Sequence, residues 1–206
     1  MAISWDAVER AVLERSPGRP SEAFASRAAV ALILRDGVAG IEILFIRRAD
    51  HPQDPWSGQM AFPGGRAEPG ENDLVATAMR ETLEEVGIDL QREAVLLGAL
   101  DEVRAMARLR PVDLAISPFV FRLRGEATPE PGPEVRSVHW IPLGDLLAAG
   151  ARSTFDYAEQ GATLQFPCLR LGDDELVIWG LTYRMFISFG DRLVGADAAA
   201  ASGTGA

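Results

Sequence analysis

Asn72-Asp73-Leu74-Val75-Ala76-Thr77-Ala78-Met79-Arg80-Glu81-Thr82-Leu83-Glu84-Glu85-Val86-Gly87 reads as one helix with both ends marked. Asn72 or Asp73 supplies the N-cap, Leu74 to Val86 the helix, and Gly87 the stop. At roughly 100° per residue, Glu81, Glu84 and Glu85 fall on one broad face, and Val75, Met79, Leu83 and Val86 on the other. A solvated acidic face is the ordinary reading of such a cluster, but two costs oppose it. Glu81 and Glu85 are like charges at i,i+4, which destabilise a helix by about 0.2–0.5 kcal/mol. All three also crowd the negative end of the helix dipole, where a cation is favoured by about 0.3–1 kcal/mol. Only Arg80, four residues before Glu84, offsets this. The helix asks for a cation that its own sequence lacks, and hard carboxylate oxygens suit Mg²⁺ or Mn²⁺.

Working upstream, Phe62-Pro63-Gly64-Gly65 supplies a turn that brings backbone amides and carbonyls toward the acidic face. Residues 47–65 read as a loop punctuated by proline and glycine. Before it, Ala28–Leu34 and Ile41–Ile46 are apolar strands joined at Arg35-Asp36-Gly37 as a hairpin. Downstream, Val95–Leu100, Ile116–Leu123 and Glu134–Ile141 read as strands, with a polar stretch from Asp101 to Asp113. A short helix starts at Pro142–Ala149, and Leu176–Phe189 reads as a largely buried final helix. Strands and helices alternate without strict β-α-β order, so the class is α/β with a mixed sheet. The expected organisation is an N-terminal helical extension over 1–25, one domain over 26–194, and a disordered small-residue tail over 195–206.

The 206 residues support one sizeable core. A net charge of −10 argues against a partner held by phosphate backbones or an anionic membrane. An acidic protein still binds small anions where metal ions bridge the two. Cys168 is the one cysteine, so an intrachain disulfide and a cysteine-rich zinc site are excluded. Asp6 and Glu9 stand where a signal peptide would be basic and then apolar, and no run of about eighteen apolar residues occurs. The expected location is the cytoplasm. All 20 basic residues are arginine, which looks like genome composition rather than function.

Gly65, Glu71 and then Arg80-Glu81-Thr82-Leu83-Glu84-Glu85-Val86-Gly87-Ile88 resemble the Nudix hydrolase box. That box reads Gly-x5-Glu-x7-Arg-Glu-U-x-Glu-Glu-x-Gly-U, with U a bulky apolar residue. Two departures stand out: eight residues separate Glu71 from Arg80, and Thr82 replaces a bulky apolar residue. The likeness extends to the coenzyme A pyrophosphatase branch through Phe62-Pro63-Gly64-Gly65, the longer box, Ser117-Pro118-Phe119-Val120, Glu134-Val135, His139–Leu143 and Trp179–Arg184. The branch's upstream motif is degraded: Arg48-Ala49 and Gly58 match, but Gln53 or Asp54 occupies the second arginine position.

The resemblance implies an α/β/α sandwich around a mixed sheet. It implies a Mg²⁺- or Mn²⁺-dependent pyrophosphohydrolase acting on coenzyme A or an acyl derivative, giving 3′,5′-ADP and phosphopantetheine. ADP-ribose or another nucleoside diphosphate derivative is the alternative substrate, and a non-hydrolytic nucleotide-binding module the alternative class. The implied metal ligands are Glu81, Glu84 and Glu85, with the Gly65 carbonyl. Arg80 orients Glu84, and a box glutamate or Glu134 takes the proton of the attacking water. Arg47, Arg48, Phe62 and Gly64 are the implied substrate contacts. The partner is a small molecule, and a homodimer is compatible with the family.

Other residues read less sharply. Arg47 and Arg48 suit a clamp on phosphate or equally a surface ion pair with Glu22 or Asp36. His51 reads as an incidental loop histidine. Trp56 reads as a base-stacking residue or a lid anchor. Trp179 and Tyr183 read as core, and Cys168 as an inert small hydrophobe.

Overall fold

The structure is a computed structural model describing residues 3–20, 22–107, 110–159, 162–172 and 176–203. Its elements run α1 (Trp5–Leu13), β1 (Ser26–Gly37), β2 (Gly40–Arg48), β3 (Met60–Ala61), β4 (Gly64–Arg66), α2 (Leu74–Val86), α3 (Leu90–Glu93), β5 (Ala94–Ala99), β6 (Val103–Ala107) and β7 (Arg110–Leu123). They continue with β8 (Val135–Pro142), α4 (Leu143–Leu147), a 3₁₀ turn at Ala149–Ala151, β9 (Arg152–Glu159), β10 (Ala162–Leu171), β11 (Leu176–Trp179) and α5 (Gly180–Gly203).

An eight-stranded mixed sheet carries the fold. β1 lies between β2, antiparallel to it, and β7, parallel to it. Further along the sheet, β8 and β3 pair with β2, β4 with β1, and β5 and β6 with β7, all antiparallel. Side chains alternate along β1 with period two. Ala28, Leu32 and Leu34 join the cluster containing Phe186 and Phe189 of α5, whereas Ala29, Ala31 and Ile33 join the one containing Ala78 and Val86 of α2. Covering on both faces explains why Ala28–Leu34 is continuously apolar. The result is the α/β/α sandwich anticipated above.

Several expectations need correction. The hairpin turn lies at Val38-Ala39, because β1 continues to Gly37 and Arg35 pairs across the strands with Glu42. The polar 101–113 stretch contains β6. Leu176–Trp179 is a strand, with α5 starting only at Gly180, whose φ of 65° breaks the apolar run. α5 then continues to Gly203, so the tail expected to be disordered from residue 195 is helical to that point, and 204–206 lie outside the described residues. The helix expected in the N-terminal stretch is present as α1, and its Val8, Ala11 and Val12 are buried in the α5-side core.

α2 matches its reading to the residue. Asp73 accepts from the Val75 and Ala76 N–H groups, and Gly87 closes the helix in the left-handed region at φ 70°. Its buried face is rotated from the one expected, however. Ala78, Thr82, Glu85 and Val86 are buried, while Leu83 is 49% exposed. Thr82 tolerates burial because its hydroxyl donates to the Ala78 carbonyl over 2.7 Å.

Candidate active site

Six carboxylates and three arginines line one cleft of about 540 Å³, walled by α2, the glycine turn, the loop before β3 and the start of α5. Its lining includes Glu81, Glu84 and Glu85 from α2, Glu134 just before β8, and Arg48, Arg66 and Arg80. Phe62, Gly64 and Gly65 also line it. Nearly every residue picked out from the sequence is therefore gathered in one place.

Arg47 is the exception. It does not line the cleft and lies near His139, whose pKa is held down by burial and by the Arg47 charge. His51 is likewise elsewhere, its ring Nδ1 accepting the Gln53 N–H in an exposed turn.

The glycine pair is explained by close approach. A Cβ on Gly64 would strike the Ala29 carbonyl and Val30, and one on Gly65 would strike the Glu81 carboxylate. The Gly64 N–H in turn donates to Glu85 Oε2 over 2.8 Å. The free carbonyls at the end of α2 are met by the next loop: the Glu130 N–H donates to Val86 and the Gly132 N–H to Glu85.

Arg80 is a hub rather than the partner of Glu84 alone. Its Nη1 lies 2.9 Å from Glu81 and 3.3 Å from Glu84, while its Nη2 lies 3.2 Å from Glu71 and donates to the Arg66 carbonyl over 3.1 Å. Burial opposes its charge, but the Glu71 and Glu81 carboxylates more than offset this and raise its pKa. Glu71 also accepts the Glu68 N–H, which with Arg80 keeps its own pKa low. The longer gap in the box thus still delivers Glu71 to Arg80.

Arg48 is similarly committed. Its Nε and Nη2 both lie 2.8 Å from Asp54 Oδ2, and its Nη1 is 3.7 Å from Glu85. Neither Glu22 nor Asp36 is its partner. Asp54 also accepts the Trp56 N–H, so the pair fixes the loop over the cleft. Trp56 is pinned there by its Nε1–H, which donates to the Met106 carbonyl over 3.0 Å.

Arg66 and Asp54 are residues whose place sequence reasoning missed. Arg66 follows the glycine pair directly, which was the available signal. Among the described residues its guanidinium makes no ion pair, leaving it the free cation on the cleft wall.

The electrostatics favour a cation. Burial pushes Glu85 up to about 7, against the opposing pull of the Gly64 N–H and Arg48, and Glu81 and Glu134 push it further. Glu81 is raised mainly by burial, with Glu84 and Glu134 adding to it against Arg80. Carboxylates that raise one another's pKa form a hard-oxygen donor set that a divalent ion would relieve, so the residues fit such an ion. As they stand, among the described residues, no three His, Cys, Asp or Glu side chains converge in ligating geometry. Arg80 holds Glu81 and Glu84, and Gly64 holds Glu85, so loading would require these side chains to turn inward.

Residues 25–159 match the NUDIX domain, and the chain belongs to that family. A protein of Schizosaccharomyces pombe described as uncharacterized is 44% identical over 51% of this chain and 33% of its own length. Nudix hydrolase 22, chloroplastic, of Arabidopsis thaliana is 30% identical over 78% of this chain and 53% of its own. An uncharacterized Nudix hydrolase NudL of Yersinia pestis is 30% identical over 68% and 66%. The chain therefore spans about a third to two thirds of the length of these relatives. Among solved structures, a MutT/nudix family protein from Enterococcus faecalis superposes with a TM-score of 0.54 at 20% identity, covering 88% of this chain and 66% of that one. A C. elegans Ap4A hydrolase gives 0.50 at 22%, covering 60% and 84%. These two establish the fold. Nudix hydrolases generally use divalent metal ions, in keeping with the donor set described above.

Proposed function

We propose that the protein is a divalent-metal-dependent pyrophosphohydrolase that cleaves the diphosphate of a nucleoside diphosphate derivative, with coenzyme A or an acyl-coenzyme A as the leading substrate. The observation that carries the reading is the gathering of Glu81, Glu84, Glu85 and Glu134 with Arg48, Arg66 and Arg80 around one cleft. The cation would be Mg²⁺ or Mn²⁺, held by Glu81, Glu84 and Glu85 with the Gly65 carbonyl. When bound, it would neutralise diphosphate charge and supply a hydroxide-like nucleophile.

The chain's own residues do the rest. Arg66 binds phosphate oxygens from the cleft wall, since a guanidinium fork matches them and this one is in no ion pair among the described residues. Arg80 keeps Glu81, Glu84 and Glu71 in fixed relation. Phe62 forms an apolar floor, stacked on Phe45 with ring centroids 4.7 Å apart. A box glutamate or Glu134, which also lines the cleft, takes the proton of the attacking water.

Coenzyme A rests on the likeness to its pyrophosphatase branch, including Trp179–Arg184 at the cleft margin. The second substrate reading is ADP-ribose or another nucleoside diphosphate derivative. It is favoured by Arg48, whose fork is taken by Asp54 and Glu85 rather than left for a 3′-phosphate. Turnover with Mg²⁺ on coenzyme A, ADP-ribose, dinucleoside polyphosphates and NADH separates the readings. Faster turnover of ADP-ribose than of coenzyme A rejects the first substrate. Tight nucleotide binding with no turnover of any of them indicates a binding module.

A further inference from the structure

A second cavity, of about 290 Å³, opens beside the carboxylate cleft and shares Trp56, Gln59 and Leu181 with it as common walls. Much of it comes from chain beyond residue 159, where the match to the NUDIX domain ends. β9, β10 and β11 form a separate three-stranded antiparallel sheet. Phe155 sits opposite Phe166, and Cys168 opposite both Ser153 and Trp179. Because side chains alternate, Phe155, Tyr157, Phe166 and Trp179 share one face of that sheet. The rings pack on one another, with centroids 4.7 Å apart for Phe155–Trp179 and 5.0 Å for Tyr157–Trp179. Trp179, expected in the core, is instead partly exposed and lines this cavity, while Tyr183 packs against the core as expected and lines the cavity as well.

The face is an aromatic wall left incompletely covered. Trp56, fixed by its bond to the Met106 carbonyl, closes the opposite side. Against this mostly apolar lining stand the hydroxyls of Tyr157 and Tyr183, the Gln59 amide and Arg184, which makes no ion pair among the described residues. A nucleobase edge or a sugar presents several donors and acceptors, which this wall would leave unpaired. An apolar chain asks for none.

We propose that this cavity is a second subsite of the same active site, taking an apolar tail attached to the diphosphate substrate. The proposal rests on the pyrophosphohydrolase reading for its anchor: the diphosphate held by Arg66 beside the carboxylates sets where the tail emerges, and the shared walls lead it under Trp56. The β9–β11 sheet and the start of α5 then act as a specificity device added to the catalytic sandwich.

The test measures affinity separately from turnover. The probes are coenzyme A and its acetyl, butyryl, hexanoyl and octanoyl thioesters, titrated into the full chain by calorimetry in EDTA and assayed for hydrolysis with Mg²⁺. Affinity should rise with chain length, by at most about fourfold per buried methylene, making octanoyl-coenzyme A at least about tenfold tighter than coenzyme A. Trp179→Ala and Tyr183→Ala should each flatten that dependence. If Trp179→Ala fails to fold, by circular dichroism, Tyr183→Ala decides. Equal affinity across the series, no binding of any thioester, or a dependence unchanged in the folded variants overturns the subsite. Chain-length-dependent binding with no hydrolysis leaves the subsite standing and removes the hydrolase reading. Hydrolysis of all members without chain-length dependence does the reverse.

Discussion

The N–H of Gly64 and the carboxylate of Glu85 are joined by a 2.8 Å hydrogen bond, which ties the glycine turn to the acidic face of α2. One bond thus fixes the turn, and with it the Gly65 carbonyl, relative to the helix. It also explains how a carboxylate that is only 6% exposed is tolerated among apolar neighbours.

Glu85→Gln keeps an acceptor for the Gly64 N–H and removes the charge. Turnover should fall by at least about a hundredfold, since a metal-site carboxylate is lost. Folding stability should hold or rise, because the buried charge and its place at the negative end of the helix dipole both disappear. Steady-state kinetics beside a thermal melt checks both halves; near-wild-type turnover would remove Glu85 from the metal site.

The raised pKa of Glu85 makes a signed prediction for the metal-free protein. The group titrates at 4.5 in its ordinary state and at about 7 in the fold. Its contribution to stability is therefore fully present below about pH 4.5 and is lost as pH rises through 7. Melting temperature in EDTA should decline across that window in the wild type relative to Glu85→Gln. Added Mg²⁺ or Mn²⁺ should abolish the difference, with proton release on binding near pH 7. Parallel profiles for the two proteins would show that Glu85 ionises normally.

Arg80→Lys tests the hub. A lysine keeps the charge but cannot hold Glu71, Glu81, Glu84 and the Arg66 carbonyl from one planar fork. We expect about tenfold or greater loss in kcat and a loss of about 1–2 kcal/mol in stability, read from kinetics and denaturant unfolding. Full activity in the lysine variant would mean that charge balance alone suffices.

How much of this was legible depended on how local the signal was. α2 was read to its last residue because Asp73 and Gly87 mark its ends within the segment itself. Its buried face was misjudged because Glu85 is held by Gly64, twenty-one positions away. The β9–β11 sheet went unread for the same reason: Phe155, Tyr157 and Phe166 alternate with polar residues in short runs, and only pairing between strands makes them a face. Leu176–Trp179 merged with the following helix because an apolar run carries no period, and Gly180 was its one internal break. Arg48 was visible as a basic residue entering the loop, but its engagement with Asp54 depends on how that loop folds back.

Arg48 and Arg66 should separate when mutated. Arg48 lowers the pKa of Glu85 from 3.7 Å, so Arg48→Ala should raise that pKa further and shift the acid limb of the pH–rate profile upward. It should also loosen the loop carrying Trp56, since Asp54 loses its partner. Arg66 is in no ion pair among the described residues, so on the proposed reading its loss removes a phosphate contact made equally in ground and transition states. Arg66→Ala should then raise KM by about ten- to a hundredfold, the worth of a charged hydrogen bond at about 1.5–3 kcal/mol, with kcat and its pH profile nearly unchanged. Full pH–rate curves for both variants decide the matter. A KM effect confined to Arg48→Ala, with preference for coenzyme A over its analogue lacking the 3′-phosphate erased in that variant, would return the phosphate-reading role to Arg48. In that case substrate binding would have to draw its guanidinium away from Asp54, and the loop ordered by that pair would be the element that moves.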